Sequence, residues 1–277
     1  MLKQLLKYEF KATSRVYGGL YLAVLAVSAL LGISFQVPVL FTAPIAALMI
    51  VYMALVVAIV VMTILTIVQR FTRNLLGREG YLMHTLPVPT AQLILAKLLS
   101  SLVWTLCSIL VVLLSFGLFS LFGTINSEAM SYLLHQLTSS WPEIVKLLGT
   151  VARDYGFTLV LIVLEWVASL TCSILCMYTA CMIGHQFKQQ FVLVGIGAFV
   201  VLNVVQNKLL NLLPYNADNS GLNLVFTTAA GDGSVYMVHG NKAYLWAVLA
   251  ALAADIAVCA FYFYTTNWLM KNKLNLD

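Results

Sequence analysis

Long apolar blocks alternate with short polar segments along the chain, and this alternation is the strongest signal in the sequence. A helix rises about 1.5 Å per residue, so about 20 mostly apolar residues cross a hydrocarbon layer about 30 Å thick. Six blocks reach that length: 17–35, 44–68, 98–122, 157–183, 191–213 and 244–266. The pattern therefore predicts an all-α integral membrane protein with six transmembrane helices. The fifth block is the weakest of the six, because polar residues crowd its second half.

Composition agrees with this interpretation. Hydrophobic residues make up 62% of the chain and charged residues only 9%, whereas a soluble domain carries about 25% charged residues and about half apolar ones. All five cysteines fall inside the apolar blocks, where they act as small apolar residues, and we expect neither a disulfide nor a metal site. The first block has the basic lead-in of a signal peptide, but its spanning length favours an uncleaved first span.

Lysine and arginine predict the orientation, because cytoplasmic segments retain them in excess. With the N-terminus inside, the inner segments hold eleven of these residues and the outer segments hold four: Lys146, Arg153, Lys208 and Lys242. Both termini are then cytoplasmic. The net charge of +5 follows mostly from this bias, and it gives no reason to expect nucleic acid as a partner.

We interpret the chain as one transmembrane domain, 1–277, and four of the segments outside its apolar blocks are informative. Residues 1–16 have leucines and lysines at helical spacing and predict an amphipathic helix on the inner membrane surface. Residues 69–97 form the longest cytoplasmic loop, with charges, two glycines and two prolines around a short apolar stretch. The outer segment 123–154 suggests two short interfacial helices, with Pro142 between them. The outer segment 214–243 is rich in Asn, Asp and Gly. Its apolar patch can re-enter the membrane or cover the outer opening of a path across it.

Two acids fall inside apolar blocks, Glu165 in the fourth and Asp255 in the sixth. An ionised acid at the centre of a span costs about 2.5–3.5 kcal/mol on insertion scales, so both are expected to face protein or water. They either line a transport path or tie helices together through hydrogen bonds. Asn203 in the fifth block suits a helix that lines a cavity. The serine and threonine stripe of the third block, Ser101 to Ser115, is more typical of helix packing than of a ligand path.

Signatures of catalysis are missing from the sequence. It contains no phosphate-binding loop, no His-Glu-x-x-His and no Ser within Gly-x-Ser-x-Gly, and its four histidines are scattered over different loops. We therefore expect a protein that is not an enzyme and that binds no cofactor of its own.

Two short motifs resemble a known family. Residues 77–89, Gly-Arg-Glu-Gly-Tyr-Leu-Met-His-Thr-Leu-Pro-Val-Pro, continuing through 92–99, Gln-Leu-Ile-Leu-Ala-Lys-Leu-Leu, resemble the cytoplasmic loop of bacterial ABC exporter permeases of the type-2 class. Residues 5–11, Leu-Leu-Lys-Tyr-Glu-Phe-Lys, resemble the amphipathic entry helix of those proteins, and the six-span layout is similar over essentially the whole chain.

The resemblance implies the membrane-spanning subunit of an ATP-driven exporter in the bacterial cytoplasmic membrane. Such a permease pairs with itself or with a sister permease, and it binds two copies of a separate ATPase that carries the ATP and Mg²⁺. The loop after the second span docks on that ATPase and transmits its closure to the helices. The resemblance places docking on these residues of the present chain: Arg73, Leu75, Leu76, Arg78, Glu79, Gly80, Tyr81, Leu82 and Pro87.

Other functions remain open at this point. An ion-coupled carrier would use Glu165 and Asp255 to bind protons or sodium ions, with Asn203 beside the path. An embedded enzyme, or a sensor or scaffold subunit that transports nothing, is the third possibility. The sequence determines neither the substrate nor the choice between a homodimer and a heterodimer.

Overall fold

A computed structural model describes residues 2–35, 42–76, 89–124, 128–187, 190–211 and 242–272. These residues form six α-helices and contain no strand. The helices are α1 (Leu2–Ser34), α2 (Thr42–Phe71), α3 (Thr90–Thr124), α4 (Glu128–His185), α5 (Phe191–Asn211) and α6 (Lys242–Asn272). A five-residue π-helical turn, Thr72–Leu76, follows α2 directly.

Each of the six helices contains a stretch long and apolar enough to cross a membrane, which confirms the predicted fold class. Most ends agree with the apolar blocks within a few residues. The stretches in α1 and α3 begin earlier than predicted, at Leu6 and Thr90. A helix satisfies its own backbone hydrogen bonds, so it continues past the hydrocarbon layer wherever its side chains find partners there. Whether residues 2–16 lie along the membrane surface stays a prediction, although they are helical as expected.

The structure corrects one prediction. Residues 128–154 do not form two short helices, because α4 runs without a break from Glu128 to His185 and contains Pro142. A proline inside a helix removes one backbone hydrogen bond and crowds the preceding turn, and here the chain continues through it. The other predicted outer segment, 214–243, lies outside the described residues except for the first two residues of α6.

The chain divides into two compact units, of which unit 1 comprises Met1–Gly149 and Met270–Asp277. In unit 1, α1 packs mainly against α3 and also against α2. The buried side chains of Val24, Tyr52 and Ile59 form its apolar core. Gly32 permits a close approach of α1 to α3, since a Cβ there would lie 2.6 Å from Cβ of Phe122. Small residues of this kind let transmembrane helices pack closely.

Unit 2 comprises Thr150–Leu269 and includes the apolar part of α4, all of α5 and most of α6. Its buried face on α4 carries Cys172, Cys176, Tyr178 and Thr179. The backbones of α4 and α5 approach closely at Gly184, where a Cβ would lie 2.9 Å from Cα of Gly195. Unit 2 therefore packs around small side chains with several polar groups among them.

Candidate functional site

Three charged side chains from three helices meet in unit 1. The carboxylate of Glu9 on α1 forms ion pairs with Arg70 of α2 through Oε2 and with Lys97 of α3 through Oε1. We call these three residues the Glu9 cluster. Both partners donate charge-assisted hydrogen bonds, which are the strong class of hydrogen bond in proteins.

The Glu9 cluster is largely withdrawn from solvent. Glu9 is 8% exposed and Lys97 is 5% exposed, while the side chain of Arg70 is 23% exposed. The backbone carbonyl of Glu9 also accepts hydrogen bonds from Thr13 Oγ1 at 2.8 Å and from Arg70 Nη1 at 3.4 Å. Two cations and one anion leave the cluster with a net charge of +1. Buried ions of this kind are stable only while each keeps its partner.

The position of the Glu9 cluster in the chain connects it with the predicted docking loop. Arg70 lies at the end of α2, six residues before the last residue of the π-helical turn, and Lys97 lies in the second turn of α3. The segment 77–88 joins these two flanks. Glu9 therefore ties both flanks of this segment to each other and to α1. The π-helical turn adds a local irregularity of the kind that is frequent at functional sites.

Paired hydroxyl groups continue from the Glu9 cluster into the interior of unit 1. Ser108 Oγ lies 2.7 Å from the hydroxyl of Tyr21 and 3.0 Å from Oγ1 of Thr63, so one α3 serine joins three helices. Two turns further along α3, Ser115 Oγ lies 3.0 Å from the hydroxyl of Tyr52. These contacts confirm a packing role for Ser108 and Ser115 of the predicted polar stripe, while Thr105 bonds to the carbonyl of Ser101 within α3.

A cluster of aromatic side chains lies between α1 and α3 in unit 1. The rings of Tyr17 and Trp104 stack with centroids 4.5 Å apart, and Phe10 contacts Trp104 at 6.0 Å. The hydroxyl of Tyr17 and Nε1 of Trp104 are buried without a hydrogen-bond partner among the described residues. Both are neutral groups, so leaving them unpaired costs less than leaving an ion unpaired.

The second candidate site is in unit 2, at the buried acid of α6. Asp255 is 3% exposed, and its Oδ1 has no hydrogen-bond partner within the described part of the chain. Glu165 of α4 is half-buried. The predicted inward position of Asp255 is confirmed, while Glu165 is only partly covered. An ionised carboxylate is costly to bury without partners, so a buried Asp255 favours a proton or another cation at this place.

Asn203 is hydrogen bonded within unit 2. Its amide nitrogen donates to the carbonyl of Phe199 at 2.8 Å and to Sγ of Cys176 at 3.6 Å. A neighbouring set of contacts joins α4 with α6, where Oγ1 of Thr179 and Oγ1 of Thr266 lie 3.0 Å apart. The thiol of Cys259 on α6 also donates to the backbone carbonyl of Ala168 on α4, at 3.6 Å. The structure thus gives Asn203 a packing contact, and its place on a transport path stays a prediction.

The predicted docking residues fall partly within the described chain. Arg73 is exposed on the π-helical turn, Leu75 is fully buried there, and Leu76 ends the turn. A fully buried Leu75 offers no surface to a partner in this conformation. The remaining predicted residues lie outside the described residues: Arg78, Glu79, Gly80, Tyr81, Leu82 and Pro87.

Sequence reasoning missed the Glu9 cluster. The signal was present, since Glu9 is the lone acid in a basic segment and shares its helical face with Thr13 and Tyr17 at four-residue spacing. An acid on the same helical face as buried residues is itself expected to be buried, and a buried carboxylate needs a cationic partner. Which cations pair with Glu9 depends on how α2 and α3 pack against α1, and that packing does not follow from the sequence.

Comparisons with protein-family models, with curated proteins and with solved structures find no match. The family resemblance of this chain therefore depends on its short motifs and on its six-span layout.

Proposed function

We propose that this chain is the membrane-spanning subunit of an ATP-driven exporter, powered by a separate ATPase that docks on the 69–97 loop. The chain supplies the path across the bilayer, and the ATPase supplies the energy. A second permease chain, identical or related, would complete the path. The bacterial cytoplasmic membrane, with both termini inside the cell, is the location that follows from this proposal.

The observation that supports this proposal best is the Glu9 cluster. A force applied to segment 77–88 acts first on the ends of α2 and α3. Because Glu9 binds Arg70 and Lys97 at once, displacement of either flank without α1 would separate buried charges. Separating a buried ion from its partner costs about 3–5 kcal/mol, which is more than the energy of most single side-chain contacts. The three helices are therefore expected to move together when the loop is pushed.

Co-purification tests the proposal. This chain is co-expressed with an ATPase encoded beside it, and Tyr81→Glu and Leu82→Glu are compared with the native chain. A charge in the apolar part of the loop must be desolvated on docking, so both variants are expected to lose at least nine-tenths of the bound ATPase while inserting normally.

The matched control is Tyr132→Glu, which places the same charge on an exposed tyrosine of α4. It is expected to retain the ATPase. Normal ATPase binding by both loop variants would overturn the docking assignment, and so would labelling that finds residues 70–97 on the cell exterior.

An ion-coupled carrier is the second candidate function, and the unpartnered Oδ1 of Asp255 favours it. In this reading Asp255 and Glu165 share a proton or a sodium ion that is released during transport. Proteoliposomes containing this chain without any ATPase distinguish the two proposals. Faster decay of an imposed proton or sodium gradient with the native chain than with Asp255→Asn would support the carrier, and equal decay would exclude it.

A further inference from the structure

The N-terminal half of α1 has two opposite faces. Glu9, Thr13 and Tyr17 are buried at four-residue intervals. Three cations recur at the same interval, offset by two residues from this buried row, and all three are exposed: Lys7, Lys11 and Arg15. We call these three cations the basic stripe. At 3.6 residues per turn, an offset of two residues is a rotation of about 200°, so the basic stripe faces away from α2 and α3.

No described acid neutralises the basic stripe. Among the side chains that the structure describes, the acids are Glu9, Glu165 and Asp255, and none of them is exposed. Glu9 is on the opposite face of α1, where Arg70 and Lys97 occupy its carboxylate. Three cations on one helix face therefore repel each other by themselves, and an external anion would relieve that repulsion.

The depth of the basic stripe indicates which anion it meets. For an α1 that crosses the bilayer upright with Ser34 at the far edge, about 20 residues fill a hydrocarbon layer about 30 Å thick, which places Arg15 at the near edge. A helix that turns along the surface after Arg15 keeps the whole stripe at headgroup depth. In the upright helix, Lys11 and Lys7 follow at about 6 Å and about 12 Å beyond the near edge. The headgroup layer extends roughly 5–8 Å from that edge. The stripe thus spans the lipid phosphates and ends just outside them.

We propose that the basic stripe binds the headgroups of anionic phospholipids. The alternative anion, an acidic surface on a partner protein, reaches Lys7 from the water but meets Arg15 and Lys11 only by displacing lipid. Each cation near an anionic membrane strengthens binding about fivefold, so three cations make a strong preference. Because the Glu9 cluster is on the other face of the same turns, lipid binding holds α1 in the position in which Glu9 reaches Arg70 and Lys97.

The test measures lipid preference on the purified full chain. Phosphatidylglycerol and phosphatidylcholine are added in separate titrations to the protein in neutral detergent, and bound lipid is counted by native mass spectrometry. The K7Q/K11Q/R15Q variant removes the stripe. The control variant, K146Q/R153Q/K208Q, removes three exposed cations that are scattered over α4 and α5.

The native chain is expected to bind phosphatidylglycerol at least tenfold more tightly than phosphatidylcholine. The stripe variant should lose most of this preference, the control should keep it within threefold, and a K7R/K11R/R15K variant should behave as native. Added salt should weaken the preference of the native chain.

Two results would overturn the proposal. Equal loss in the stripe variant and the control would show a general charge effect. Unchanged lipid preference combined with loss of ATPase co-purification would assign the stripe to an acidic protein surface. Neither result bears on the Tyr81 and Leu82 experiment, so failure here is distinguishable from failure of the exporter proposal.

Discussion

Unit 1 and unit 2 both bury charged groups, but they satisfy them in different ways. In unit 1 the carboxylate of Glu9 has a cation on each oxygen, contributed by two other helices. In unit 2 the buried Oδ1 of Asp255 has no partner among the described residues. A charge compensated within the protein fixes the helices that share it, whereas an uncompensated one requires a proton or a ligand.

The neutral polar groups are similar in the two units. Hydroxyls pair across helices at Ser108 and Ser115 in unit 1 and at Thr179 and Thr266 in unit 2. Both units also bring helices close together at a glycine, Gly32 in unit 1 and Gly184 in unit 2, so the contrast lies in the charged groups. We infer that unit 1 is suited to transmitting a displacement and unit 2 to accommodating a bound ion or cargo. The following substitutions test this contrast.

The largest effect is expected for Glu9→Gln. The substitution leaves the cations of Arg70 and Lys97 together without an anion, and breaking such a buried pair costs about 3–5 kcal/mol. Because the side chain of Arg70 is 23% exposed, water screens part of this charge and we expect about 3 kcal/mol. The free energy of unfolding in mixed detergent micelles measures it, with Lys146→Gln, at an exposed cation of α4, as the control.

A second variant keeps this prediction testable if Glu9→Gln fails to accumulate. The triple change E9L/R70L/K97M removes all three charges together, and apolar replacement of a whole buried ion group is often neutral or stabilising. It is expected to recover most of the lost stability but none of the ATP-driven transport. A Glu9→Gln protein as stable as the native chain would show that the Glu9 cluster does not stabilise the packing of α1, α2 and α3.

Gly184→Ala is expected to rank second, at about 1–3 kcal/mol of lost stability. The new Cβ would lie 2.7 Å from the carbonyl oxygen of Phe191 and 2.9 Å from Cα of Gly195, so the backbones of α4 and α5 must separate. Gly197→Ala on the facing helix is the control, because nothing lies within 4 Å of its Cβ position. Equal stability of the two variants, measured by thermal unfolding, would rule out close backbone packing in unit 2.

Tyr52→Phe is expected to cost about 1 kcal/mol, the usual contribution of one hydrogen bond. The change removes the hydroxyl that lies 3.0 Å from Ser115 Oγ, while the ring remains in the core of unit 1. Ser115 keeps its bond to the carbonyl of Val112, so the loss stays small. Tyr264→Phe, at an exposed tyrosine of α6, is the control and should leave the unfolding free energy unchanged.

The smallest effect on stability is expected for Asp255→Asn, within about 1 kcal/mol of native. Oδ1 gives up no hydrogen bond on substitution, and removing a buried charge offsets the cost of placing an amide there. The same type of change, acid to amide, is thus expected to cost about three times more at Glu9 than at Asp255. A loss of 3 kcal/mol at Asp255 would show that this acid is structural, and it would end the contrast between the two units.

The sequence predicts those parts of the fold that depend on one helix at a time. Six apolar blocks, the packing role of the third span's serines and the inward position of Asp255 all follow from spacing and hydrophobicity. The continuity of α4 through Pro142 does not follow, because a proline either ends or kinks a helix according to the packing around it. The Glu9 cluster does not follow either, since its partners come from helices more than sixty residues away along the chain.

Hydrogen–deuterium exchange tests most directly the claim that Glu9 holds both flanks of the loop. Exchange of the amides in residues 64–76 and 90–97 is compared between the native chain and Glu9→Gln, with Lys146→Gln, at an exposed cation of α4, as the control. We predict that exchange in Glu9→Gln is faster in both flanks together, while residues in unit 2 keep their native rates. Unchanged exchange in both flanks, or faster exchange in only one of them, would contradict the account.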